Sequence, residues 1–145
     1  MTAALSSLPD LGLDLRKVPD LTDATTRKRL SPAAMEAFFR IMEKWSLRDE
    51  DAKALLGGTS HGKYYELKRS HRGLLTQDEL TRVSLLIGIF KALNILFSSN
   101  LANQWVVRPN TNPMFNNQPP LAVLRSGIPG MLSVRRLLDS RRGGR

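Results

Sequence analysis

Apolar residues recur along this chain at steps of three and four, and no stretch alternates convincingly with a period of two. The pattern predicts an all-α protein. Ser31-Pro32 reads as the start of the first clear helix, because serine accepts hydrogen bonds from open N–H groups and proline is tolerated at the first helical position. Met35, Phe38, Phe39, Met42 and Trp45 then form one apolar stripe. Residues 1–30 mix leucines with Pro9, Pro19 and several aspartates, and read as an arm or a loose first helix.

A second helix begins after Ser46. Asp49, Glu50 and Asp51 fall in its first turn, where they favour the positive end of the helix dipole, and Ala52, Leu55 and Leu56 form its apolar face. Gly57-Gly58 should stop it, since glycine takes the left-handed conformation without a side-chain clash. Thr59 or Ser60 can cap the next helix, HGKYYELKR, with Tyr64 and Leu67 facing inward. Thr76 to Glu79 has the spacing of a capping box and opens a long helix reaching about Phe97. From Leu85 onward that helix is apolar almost all round. Such a helix is either sealed within one chain or covered by a partner; Leu86, Ile89, Phe90 and Leu93 are the candidate seam of a homodimer. A short helix then reaches Trp105, and Pro109, Asn110, Asn112, Pro113, Asn116 and Asn117 impose turns. LAVLRSG makes one or two helical turns, and MLSVRRLLDSRRGGR a last helix with its arginines outward.

The stretch LLGGTSHGKYYELKRS allows two chemistries. Gly57, four residues, Gly62 and Lys63 spell most of a phosphate-binding loop. Such a loop needs a strand before it, a Ser or Thr after its lysine to hold magnesium, and a second strand ending in aspartate. Here the preceding segment is helical by period, the residue after Lys63 is Tyr64, and no such strand follows. The alternative is a helix, a glycine turn and a basic second helix, the arrangement of a helix-turn-helix. Thr59, Ser60, His61 and Lys63 would stand at the start of the recognition helix, Tyr65 would reach a base or phosphate, and Lys68 and Arg69 suit backbone phosphates. A helical hairpin with a solvated charged face is the plainer reading of the same residues.

Charge sharpens the picture. The formal net charge is +9 with pI near 10.7, a surplus that suits an anionic partner. Residues 1–75 carry 13 Lys and Arg against 10 Asp and Glu, whereas residues 76–145 carry 9 against 3. The more one-sided half ends in VRRLLDSRRGGR, which points to two electrostatic tasks. There is no cysteine, which rules out disulfides and fits a reducing cytoplasm. With two histidines and no convergent Ser/His/Asp or carboxylate set, neither a metal, a cofactor nor an enzymatic activity is expected. The most apolar segment, Leu85–Phe97, is too short to span a bilayer and carries Lys91, so no membrane association is expected.

The C-terminal half resembles a known domain. Trp105, Pro109, Asn110, Phe115, Pro119 or Pro120, Leu121 and Leu124 resemble the signature of the toxin-binding domain shared by Xre-, MbcA- and ParS-type antitoxins, and VRRLLDSRRGG resembles its closing helix and glycine end. LLGGTSHGKYYELKR stands where that family has an Xre-like helix-turn-helix. The resemblance covers roughly Ser31 to Arg145 and implies, after the arm or short helix at 1–30, a DNA-binding region at 31–84 and a dimerisation and toxin-binding domain at 85–145. It implies an antitoxin of a type II toxin–antitoxin pair, in which a homodimer neutralises a RES-domain toxin that consumes NAD or transfers its ADP-ribose, and represses its own operon through operator DNA. Guanidinium groups at the C-terminal end could then rim an anion-tolerant substrate cleft of the toxin; Arg135, Arg136, Arg141, Arg142 and Arg145 are the candidates. A solvated tail is the alternative for those arginines. For the whole chain, the alternative is a stand-alone helix-turn-helix repressor with a C-terminal dimerisation or ligand-binding lobe.

Overall fold

The computed structural model describes residues 19–143, and among them it is all-helical. In chain order these are α1 (Ala24–Lys44), α2 (Asp49–Leu55), α3 (His61–Ser70), α4 (Gln77–Leu96), α5 (Ser99–Trp105), a 3-10 turn (Pro113–Phe115), α6 (Leu121–Arg125) and α7 (Ile128–Arg142).

α1 starts two turns earlier than Ser31-Pro32 suggests. Asp23 is its cap, accepting from the Thr26 amide at 3.1 Å and from the Thr26 hydroxyl at 2.8 Å. Pro32 lies inside the helix, where it offers no N–H to the Lys28 carbonyl. Ser31 is no cap but a buried pin. Its hydroxyl donates to the Arg27 carbonyl at 2.6 Å and accepts from the Leu75 amide at 3.0 Å, so it fastens α1 to the segment that enters α4. Two satisfied bonds make a buried hydroxyl tolerable here. The division of the chain at residue 30 is therefore not a structural boundary: α1 runs through it.

α4 is the axis of the fold. The expected capping box is present, with Thr76 Oγ1 accepting from the Glu79 amide at 3.1 Å and the Glu79 carboxylate accepting from the Thr76 amide at 2.9 Å. α7 and α1 pack along it, and α5 folds back against it. This arrangement corrects the proposed dimer seam. Leu86, Ile89, Phe90 and Leu93 are each 0% exposed within the single chain. α1 and α7 pack along the faces that carry these four side chains, so none of them is left open in the single chain, while Lys91 and Ile95 of the same helix stay exposed.

The loop after α5 is ordered by its own polar residues. Asn110 Oδ1 accepts from the Asn112 amide, and Asn112 Oδ1 from the Met114 amide, both at 2.9 Å. Asn116 and Asn117 take left-handed φ values of 51° and 61°, a region that asparagine tolerates better than most residues. Phe115 is buried and meets the half-buried Trp105 edge-on at 5.6 Å between ring centroids. Phe115 is thus core, as expected, while Trp105 packs against it from a half-buried position. Gly130 lets α7 touch α6, because a Cβ there would overlap the Val123 carbonyl oxygen.

Candidate functional site

The segment with two possible chemistries is a helix, a turn and a helix. α2 ends at Leu55, and Gly57 and Gly58 take φ of 101° and 79°, returning their amides to the carbonyls of Ala54 and Lys53. Ser60 caps α3, accepting from the Lys63 amide at 3.4 Å. α3 buries Tyr64 and Leu67 and exposes His61, Gly62, Tyr65, Glu66, Lys68 and Arg69. A helix, not a strand, precedes the glycines, and the Lys63 amine is already bound by a carboxylate, so the phosphate-loop alternative has neither its strand nor its cation.

The cations of α3 are tied to carboxylates of the same chain, which the sequence did not reveal. Lys63 Nζ lies 2.8 Å from Glu79 Oε1, while the Thr59 hydroxyl donates to Glu79 Oε2 at 2.9 Å. Burial alone would raise the Glu79 carboxyl, but the bonds from Lys63, the Thr76 amide and Thr59 outweigh it and hold it below its ordinary value. On the other flank, Asp49 accepts from Lys68 at 2.7 Å, from the Tyr64 phenol at 2.6 Å and from the Tyr65 phenol at 3.2 Å. The Lys68 bond first, then that of Tyr64, holds Asp49 at about 2. Burial first, and the Asp49 bond second, push both phenols up. Arg69 pairs with Glu66 on the surface.

The α2–α3 corner therefore brings Thr59, Ser60, His61, Lys63, Tyr65, Lys68 and Arg69 to one region, with Lys63 and Lys68 fixed at its two sides. Sequence reasoning missed Lys53. Its amine sits 3.4 Å from His61 Nδ1 and 5.6 Å from the Tyr65 ring centroid. The short glycine turn, which folds the end of α2 beside the start of α3, was the available signal. It also missed Asp49 and Glu79 as anchors, because these partners lie 15 to 20 residues away in sequence.

In the C-terminal half the arginines divide. Arg135 lies flat on α4, its guanidinium filling the space above Gly88 and bonding to Asp139 at 3.1 Å. Arg142 approaches the same carboxylate at 3.6 Å. Arg136 and Arg141 are exposed, and Arg145 lies outside the described residues. Arg125 of α6 bonds to the nearly buried Asp51 of α2 at 3.0 Å. Ile95, Leu101, Val107 and Met114 are exposed large apolar side chains in this half. Among the described residues no group of three or more His, Asp or Glu converges on a metal position, and no helix is long and apolar enough to cross a membrane.

Residues 92–144 match the family described as the antitoxin Xre/MbcA/ParS C-terminal toxin-binding domain. The matched region covers the end of α4, α5, the asparagine-rich loop, α6 and α7. The chain is also 36% identical over 115 residues to the uncharacterized protein y4oB of Sinorhizobium fredii (strain NBRC 101917 / NGR234), across 78% of this chain and 87% of that relative.

Proposed function

The chain belongs to the antitoxin family defined by the Xre/MbcA/ParS C-terminal toxin-binding domain, and from that premise we propose that it neutralises a RES-domain toxin by direct binding. The toxin is one that consumes NAD or transfers ADP-ribose from it. The observation that carries this reading is the match over 92–144, within which α7 exposes Arg136 and Arg141. A protein that binds a dinucleotide needs a pocket tolerant of a pyrophosphate, and guanidinium groups complement such a pocket by paired hydrogen bonds. Arg136, Arg141, Arg142 and Arg145 would enter or rim it. Arg135 would contribute by holding α7 on α4.

The second part of the proposal is operator binding through α2, the glycine turn and α3, with repression of the chain's own operon. The helix, glycine turn and helix, with Tyr65, Lys68 and Arg69 exposed on α3, and the overall charge of +9 support it. If the chain dimerises to read two half-sites, it does so through a surface other than the buried face of α4.

Co-expression with the neighbouring reading frame tests the first part. Growth rescued from that neighbour's toxicity, with both proteins co-purifying, is the expected result. A neighbour that is harmless alone, or toxicity that persists with no complex formed, would favour a stand-alone repressor.

A further inference from the structure

Among the described residues nothing packs against Gly62. It lies in α3 with φ outside the left-handed region, and a Cβ built on it would meet nothing within 4 Å. Glycine is nonetheless the poorest helix former after proline. The other glycines of this corner differ: Gly57 and Gly58 need positive φ to turn the chain. At 100° per residue, Gly62 falls almost directly opposite the face that buries Tyr64 and Leu67. Arg69 shares that outward line, and Tyr65 and Glu66 flank it. Lys63 and Lys68 stand to either side of the helix, pinned by Glu79 and Asp49. The outward ridge of α3 is thus bare at its first turn and bordered by cations on both flanks.

We propose that Gly62 is a close-approach position, where duplex DNA settles onto the backbone of α3 with no side chain between them. The inference rests on the operator-binding reading above and adds to it a steric determinant that carries no charge. DNA is the occupant that fits, because a groove walled by two phosphate strands complements an outward line that is bare at Gly62, carries Arg69 and has one lysine, Lys63 or Lys68, on each flank.

The test uses the full chain and a labelled duplex of the DNA immediately upstream of its own reading frame. Gly62→Ala should not lower Tm, and better helix propensity should raise it by about 2–4 °C. Affinity at fixed salt should nonetheless fall at least tenfold, and Gly62→Leu should lose more. The slope of log affinity against log salt should stay unchanged, since no phosphate contact is removed. Gly62→Ala binding the duplex as tightly as the unaltered chain would overturn this inference alone. So would loss of toxin binding with DNA binding intact, which would make the occupant a protein. An unaltered chain that binds the duplex no better at low salt than at high salt would overturn the operator reading and this inference with it.

Discussion

Arg125 donates to the carboxylate of Asp51 at 3.0 Å, joining α6 of the toxin-binding match to α2 of the glycine-turn corner across 74 positions of sequence. The Asp51 side chain is only 6% exposed, and its other cationic neighbour, Arg48, stands farther off at 3.6 Å. A nearly buried carboxylate that loses its closer partner bears much of its desolvation cost uncompensated. Arg125→Ala should therefore destabilise the chain by about 1–3 kcal/mol in urea unfolding. Asp51→Asn made on top of it should restore part of that loss, which a double-mutant cycle would read as coupling.

Gly130 should tolerate no side chain. A Cβ there would meet the Val123 carbonyl and the Ser126 hydroxyl, and the carbonyl belongs to backbone that cannot rotate away. Gly130→Ala should force α7 off α6 and cost about 1–3 kcal/mol, seen as a fall in Tm. Gly88→Ala is the contrast: there the obstacle is the far end of Arg135, which can swing aside. Its fall in Tm should be much smaller.

Lys63 and Arg69 should behave differently although both are cations of one helix. Lys63→Ala leaves the nearly buried Glu79 without its counter-charge and should cost about 1–3 kcal/mol of stability. Arg69 and Glu66 are both well exposed, so Arg69→Ala should leave Tm almost unchanged. On the operator-binding reading, Arg69→Ala should weaken duplex binding and reduce the salt slope by about one phosphate contact.

Acid should loosen the α2–α3 corner. The Asp49 carboxyl sits at about 2 against an ordinary value of 3.8, so the folded state favours its charged form. Its contribution is fully present above about pH 4 and is lost as pH falls toward 2. Asp49→Asn should flatten the dependence of urea stability on pH within that window, leaving any slope from Glu79, which is also held down.

Much of this fold was legible in the sequence because its signals were local. The capping box at Thr76 and Glu79, the glycine stop after Leu55, the inward Tyr64 and Leu67 and the turn residues around Phe115 all act within a few residues of themselves. Ser31-Pro32 misled for the same reason. As a local pattern it is a helix start, but Asp23 offered an earlier cap and the Ser31 hydroxyl found a distant partner in Leu75. At α4 the sequence left two covers open, because an apolar face says that it is covered, not by what; Leu86, Ile89, Phe90 and Leu93 are buried by elements of the same chain. The candidate DNA contacts were legible as residue types. Their pairing with Glu79 and Asp49 was not, since nothing in a sequence reports which distant carboxylate a lysine will meet.

The most direct test of the proposed neutralisation is a titration of the purified product of the adjacent reading frame with this chain, following loss of NAD. If the chain neutralises such a toxin by direct binding, NAD loss stops at a fixed stoichiometry as a stable complex forms. A chain lacking residues 140–145 should bind more weakly and inhibit less. NAD loss that continues unchanged under a large excess of the folded chain, with no complex formed, would contradict it.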